Sequence, residues 1–334
     1  MINRGKVIKS TGKWYKVELD DGSIVDCRIR GKIRLQGLKT TNPISVGDIV
    51  TLNNDKDDEG NRIINTVENR KNYIIRKSTN LSKQSQILAA NIDAAYLIVT
   101  IHSPITHLVF IDRFLVSAES FRIPTKIIFN KIDLYSKEEI KYVNNLIKIY
   151  ERIGYPCHKI SALNKEDVNF LKEEIKGKQV MISGHSGVGK STLINAIDHK
   201  LNISTNEISK THKQGKHTTT FAEMHRVKSG GYIIDTPGIR AFGVFDLNKE
   251  VMSHYFPEMR SIMNNCQFNN CQHLKEPNCA IKDALKNNII EESRYSTYVQ
   301  LMEEDINNVH RKNIFEWEFE FNVLVKLPSK LKGK

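Results

Sequence analysis

No stretch of this 334-residue chain is apolar for anything near the eighteen or so residues that a membrane-spanning helix needs. The longest apolar runs, such as Ala94–Val99 and Thr125–Phe129, are strand-sized. The first residues, Met-Ile-Asn-Arg-Gly-Lys, hold no apolar leader and run straight into an alternating pattern, so a cytoplasmic protein with no membrane partner is expected. Cysteine is scarce and odd in number, five in all, which excludes the paired framework of small secreted domains. Cys27 and Cys157 stand alone and read as ordinary half-buried thiols. Proline (8) and glycine (18) are too few for a low-complexity chain. Acidic charge is the minority sign: 38 Asp and Glu against 50 Lys and Arg leave +12 and a pI of about 9.3. That excess favours polyanionic partners, although a generic basic cytosolic protein would share it.

The length allows two or three domains, and the patterning divides the chain into three. Residues 1–72 carry about five short alternating strands, with the turn Asp20-Asp-Gly22 and an acidic loop from Asp55 to Gly60, which suits a small closed barrel of the OB type. Arg28, Arg30, Lys32, Arg34 and Lys39 form a basic stretch there. It suits RNA contact; the alternative is a charged edge strand that deters pairing with other chains. Residues 73–245 alternate apolar strands with amphipathic helices, and a parallel sheet covered on both faces is expected. Residues 246–334 hold a Cys/His cluster, then helices over Ile281–Asn288 and Ser293–Val309, and an alternating aromatic-acidic tail from Phe315 to Phe321.

Gly184-His-Ser-Gly-Val-Gly-Lys-Ser191 follows an apolar strand and opens a helical run, the context that makes a phosphate loop. The N–H groups of Gly184, His185, Ser186, Gly187, Val188 and Gly189 can turn toward phosphates, with Lys190, Ser191 and Thr192 opening the helix behind them. Lys190 suits the β- and γ-phosphates and Ser191 suits Mg²⁺. Asn130-Lys-Ile-Asp133 lies at the end of another strand. The carboxylate of Asp133 can accept the N1–H and 2-amino donors of guanine, which adenine lacks. Asn130 suits holding the loop and reaching N7, the stem of Lys131 suits covering the base, and Ser161 with Ala162 fits an accessory base loop. Asp235-Thr-Pro-Gly238 follows a further strand and suits the Mg²⁺ shell and the γ-phosphate. Between these pieces lies Gly215-Lys-His-Thr-Thr-Thr220 after a polar stretch, Ile208 to Gln214, that reads as a mobile loop. One of Thr218, Thr219 and Thr220 should reach Mg²⁺, with Thr219 preferred.

Together these motifs describe a GTPase whose base-recognising loops precede its phosphate loop, a circularly permuted order. The residue after Gly238 is Ile239, which cannot orient water as the glutamine of Ras-type switches does. Slow intrinsic hydrolysis is therefore expected, completed by a partner or by His217, which reads equally as an exposed loop histidine. Lys190, Thr219 and His217 are the candidate catalytic groups.

Cys266, Cys271, His273 and Cys279 gather three thiols and an imidazole within fourteen residues, a set suited to one closed, structural Zn²⁺ site.

The combination of barrel, permuted motifs and Cys₃His cluster resembles the RsgA family of ribosome biogenesis GTPases over nearly the whole chain. The resemblance implies a three-part architecture: a circularly permuted P-loop GTPase domain, an N-terminal OB-type β-barrel and a C-terminal zinc-binding, mainly helical domain. It also implies GTP hydrolysis stimulated by the small ribosomal subunit during late maturation, with the barrel and zinc domain docking on ribosomal RNA, and a protein acting as a monomer. The aromatic-acidic tail departs from the basic helical tail common in that family. A GTPase regulating a non-ribosomal partner, or a nucleotide-binding scaffold with negligible turnover, would use the same nucleotide residues.

Overall fold

The computed structural model describes residues 3–29, 43–77, 85–203, 222–235 and 247–304. Alternating β-branched and polar residues become five strands, β1 (Asn3–Ser10), β2 (Tyr15–Leu19), β3 (Ile24–Ile29), β4 (Ile49–Lys56) and β5 (Arg62–Val67). β1 pairs antiparallel with β2 and β4, β2 with β3, and β4 with β5, while β3 meets β5 in parallel, so the barrel closes. Inward positions, among them Val7, Val17, Val50, Leu52 and Ile64, fill it. Cys27 is fully buried rather than half-buried, because its strand position faces this core, and Cys157 is buried as well. Arg28 lies over the exposed ring of Trp14 at 3.6 Å and bonds Glu59 at 2.6 Å. Arg30, Lys32, Arg34 and Lys39 lie outside the described residues.

A hairpin that the sequence patterning did not suggest comes next, β6 (Tyr73–Lys77) with β7 (Ser85–Ala90). Val46 of the barrel bridges Ala89, and beside it only glycine fits at Gly47, where φ is +90° and a Cβ would overlap the Ala90 carbonyl oxygen. The strand–helix region then runs β8 (Ala94–Val99), α1 (Leu108–Ser120), β9 (Thr125–Phe129), α2 (Lys137–Ile153), β10 (Cys157–Lys159), α3 (Lys165–Ile175), β11 (Gln179–Ser183), α4 (Lys190–Ile197), β12 (Glu223–Arg226) and β13 (Tyr232–Asp235). β10, β9, β8, β11 and β13 lie side by side in that order, all parallel. Their apolar character on both faces follows from what covers them. α1 and α2 pack one face through Phe114, Leu115, Val143 and Leu146, and α3 and α4 the other through Val168, Leu171, Leu193 and Ile197.

The barrel and the parallel sheet are continuous. β12 runs antiparallel to β13, and its Glu223 pairs with Lys9 of β1, so one eleven-stranded sheet extends from β10 to β4. The junction carries two ion pairs, Lys9 with Glu223 at 3.2 Å and Arg226 with Glu18.

A 3-10 turn (Lys249–Tyr255), α5 (Pro257–Arg260), α6 (Ala280–Lys286) and α7 (Glu292–Glu303) make the C-terminal module. Met252, Phe256, Met259, Ile281, Tyr298 and Leu301 form its core, joined by Val116 of α1. α7 starts one residue before the expected Ser293, which offers its carbonyl to the Thr297 hydroxyl (3.1 Å) instead of capping the helix. Residues beyond Glu304, including the alternating tail from Phe315 to Phe321, lie outside the described residues. Among the described residues no helix is long and apolar enough to cross a membrane.

The module is tied to α1 and α2 by a buried charge network. Arg294 is fully buried and donates to Asp112 Oδ1 at 2.9 Å and to both oxygens of Glu258 at 2.6 and 3.2 Å. Asp112 also accepts from Tyr150 and Thr297, each at 3.0 Å. Burial alone would lower the Arg294 pKa, but Asp112 and Glu258 outweigh it and push it up, so the cation is held. Removing one member of such a network leaves uncompensated charge. Arg294→Ala should lower global stability by about 3–5 kcal/mol, read as a reduced urea midpoint at unchanged slope.

Candidate nucleotide site and metal cluster

All five parallel strands turn their C-terminal ends to one edge, the place where ligands gather in such sheets. Three of the loops that carry motifs leave from that edge: Asn130 after β9, Ile160–Leu163 after β10 and Gly184 after β11. Asp235 ends β13 in register with Ile182, two residues before Gly184. Of Asp235 only the backbone is described. The switch residues His217, Thr218, Thr219 and Thr220, the stretch Ile208 to Gln214, and Gly238 lie outside the described residues.

The loop from Gly184 to Gly189 is shaped by its glycines. A Cβ on Gly184 (φ +144°) would overlap the Ile98 carbonyl oxygen, and one on Gly189 (φ +94°) would meet the Asn130 amide. Gly189 is the N-cap of α4, and no side chain caps that helix, so its first-turn N–H groups are disposed to receive an anion. Val188 is buried, and Ser186 and Gly187 are exposed. Lys190 donates to the carbonyls of Gly184 (2.8 Å) and His185 (2.5 Å), so its ammonium lies over the loop itself. Ser191 and Thr192 follow in the first turn. His185 stacks on Phe110 of α1, and burial, with Lys190 and His107 adding to it, lowers its pKa to about 4.

Asn130 is buried and knits the loops together. Its Nδ2 donates to the Val188 carbonyl at 2.8 Å, and its Oδ1 accepts from the Ala162 N–H at 3.2 Å. The Ala162 N–H is thus directed to Asn130. Lys131, in the left-handed region (φ +64°), donates to the carbonyls of Ser103 (2.6 Å) and Gly187 (2.7 Å). Asp133 sits in a 3-10 turn, exposed, with no hydrogen-bond partner among the described residues. Ser161 is buried; its N–H donates to Asp167 (2.7 Å) and its hydroxyl accepts from Leu163 N–H (3.2 Å).

Two contributors were not visible in the motifs. Tyr135 donates its hydroxyl proton to the Asn130 carbonyl (2.8 Å) and accepts from the Ile101 N–H (3.1 Å); burial raises its pKa to about 12, so the donor persists. The segment Ser103–Pro104 lies against Gly187 and accepts from Lys131. Its role depends on partners far along the chain, which no local pattern reports.

The Cys/His set also comes together. One donor atom from each of Cys266, Cys271, His273 and Cys279 lies within 4.8 Å of all the others. Cys266 Sγ and Cys279 Sγ stand 3.6 and 3.5 Å from His273 Nδ1 and 4.0 Å from each other. Tetrahedral zinc with ordinary Zn–S and Zn–N bonds would hold its donors about 3.5–3.8 Å apart, so the residues fit a metal of that kind. α7 supports the cluster from behind: Tyr295 donates to the His273 carbonyl and Tyr298 to the Gln272 carbonyl, both at 2.7 Å. Glu276, unremarked in the sequence, gathers the N–H groups of Gln272, Leu274 and Lys275 at 2.9–3.1 Å.

Comparison with known proteins agrees with this geometry. The RsgA GTPase profile matches residues 67–245, and the RsgA N-terminal domain profile matches residues 4–61. The chain is 52% identical over 308 residues to the small ribosomal subunit biogenesis GTPase RsgA of Bacteroides fragilis, covering 92% of this chain and 99% of that one. It is 50% identical over 302 residues to the protein of the same name from Flavobacterium johnsoniae, covering 90% and 93%. Among solved structures it resembles YjeQ from Thermotoga maritima, with a TM-score of 0.72 and 35% identity over 94% of this chain and all of that one. It also resembles YloQ, a circularly permuted GTPase, with a TM-score of 0.71 and 26% identity, covering 94% of this chain and 98% of that one. One profile matched over more than half of the chain, and relatives half identical over nine-tenths of it, lead to one assignment: this chain belongs to the RsgA GTPase family.

Proposed function

We propose that this protein hydrolyses GTP in the cytoplasm, as a monomer, during late maturation of the small ribosomal subunit, and that the subunit stimulates its turnover. The observation that carries the reading is the convergence, at one strand edge, of three segments distant in sequence: Asn130–Asp133, Ser161–Ala162 and Gly184–Ser191. In this reading Asp133 reads the guanine edge, and the stem of Lys131 covers the base. Asn130, Ser161 and Ala162 hold the base loop in place. The N–H groups from Gly184 to Thr192 bind the phosphates, and Lys190 leaves its loop carbonyls to neutralise charge on the transferring phosphoryl group. Ser191, Thr219 and Asp235 would hold Mg²⁺, with Gly238 against the γ-phosphate and His217 orienting water. Bound Mg²⁺ supplies positive charge against the phosphate oxygens. Cys266, Cys271, His273 and Cys279 would hold one structural Zn²⁺.

The names of the relatives and the +12 charge support a ribosomal RNA partner. Arg28 stacked on exposed Trp14 suits a barrel surface that meets RNA. GTP turnover measured with purified small subunits, with large subunits and with neither tests the reading. Acceleration by small subunits alone is expected; equal rates in all three would leave a scaffold or a GTPase with another partner. Lys190→Ala should lower the stimulated rate at least about a hundredfold, and near-wild-type turnover by that variant would remove the lysine from the chemistry.

A further inference from the structure

Helix α1 touches the phosphate loop at one end and the C-terminal module along the rest of its length. In its first turn, Phe110 stacks on His185, the second residue of the phosphate loop, with ring centroids 3.7 Å apart and planes 33° from parallel. His185 is bound to this arrangement from both sides, because its own carbonyl accepts from Lys190 at 2.5 Å. Two residues on, Asp112 is buried in the network with Arg294 and Thr297 of α7. Arg113 pairs with Glu304 at the end of α7, and Glu119 pairs with Arg260 of α5 at 3.2 Å. A thirteen-residue helix is a rigid rod about 20 Å long. Displacement of its first turn therefore reaches the module without passing through the segment 236–246.

We propose that α1, through the Phe110–His185 stack, relays the state of the phosphate loop to the Cys/His module. Whatever straightens Lys190 toward a triphosphate releases the His185 carbonyl, and among the described residues the ring of His185 then still rests on Phe110. The ring is neutral over the physiological range because burial disfavours the imidazolium, so the contact is a stack between two uncharged rings and needs an aromatic partner. The direction is reciprocal: whatever the module binds biases the loop by the same free energy.

The inference rests on the nucleotide reading above, and the test keeps the two apart. Hydrogen exchange of the α7 amides is compared in the full chain with GDP and with a non-hydrolysable GTP analogue, with affinity for both measured on the same samples. Wild type is expected to show at least about a threefold difference in α7 exchange between the two nucleotides. Phe110→Ala should abolish the difference while binding both nucleotides within about fivefold of wild type, and Phe110→Tyr should retain it. An α7 that exchanges identically in wild type with either nucleotide, or a Phe110→Ala variant that keeps the wild-type difference, overturns the relay. Absence of guanine nucleotide binding by wild type would overturn the nucleotide reading and the relay together.

Discussion

Asp133→Asn is expected to lose GDP and GTP affinity at least about a hundredfold and to gain preference for xanthine nucleotides. Guanine presents two donors, N1–H and the 2-amino group, and a carboxylate presents two acceptors. Two hydrogen bonds to a charged group contribute enough to set that factor, and a site built on such a match rejects a mismatched base strongly. An asparagine keeps one acceptor and turns the other into a donor, which clashes with the 2-amino group and suits the 2-carbonyl of xanthine. Asp133 is exposed and without a partner among the described residues, so the change leaves nothing in the protein itself unsatisfied. Asn130→Ala should behave differently. Its amide braces Val188 against Ala162 rather than reading the base alone, so it should weaken guanine and xanthine nucleotides alike. Titrating fluorescent GDP, XDP and ADP against the three proteins separates these outcomes. Unchanged GDP affinity in Asp133→Asn would place the base elsewhere.

The second large effect concerns the Cys/His cluster. Purified protein is expected to carry one equivalent of zinc by elemental analysis, and Cys279→Ser or a strong chelator should unfold the segment 266–279. Structural zinc contributes roughly 10–16 kcal/mol in small metal-dependent modules. Here the loss is expected to be smaller, because the neighbouring core also draws on apolar side chains that are not ligands, among them Met252, Phe256 and Leu301. Yet His273 and Cys279 are themselves nearly inaccessible, so unligated polar donors would be left inside the protein. Near-ultraviolet circular dichroism of Tyr295 and Tyr298, whose hydroxyls bond the cluster backbone, should change on chelation. Metal-free protein with unchanged thermal stability would end the assignment.

Much of the fold is written locally. The phosphate loop, its strand and its helix occupy one continuous stretch. α2 even carries its own stop and start signals, a Ser136–Glu139 capping box and Gly154 at φ +111°. What no local pattern carries depends on distant partners. The β6–β7 hairpin buries Ile74 and Ile87 against strands that its own sequence does not name. Asp112 and Arg294 are 182 residues apart, and each alone reads as an ordinary surface charge on a helix. Asn130 was legible as a base-loop residue, but its grip on Val188 needs the sheet order that sets β9 two strands from β11. The switch histidine and threonines lie outside the described residues, and their roles stand on the motif.

The pairing of β1 with β12 has a consequence for how the molecule is made. Lys9 and Glu223 are 214 residues apart, which at ordinary translation speed is about 10–40 s of synthesis. The barrel emerges first and can close on its own strands, leaving the far end of β1 as a raw edge until β12 appears. An edge kept waiting is an invitation to stray chains, and a lysine set there is the kind of residue that repels them. Completion of the sheet then comes late, when the nascent chain has already delivered both the guanine loop and the phosphate loop.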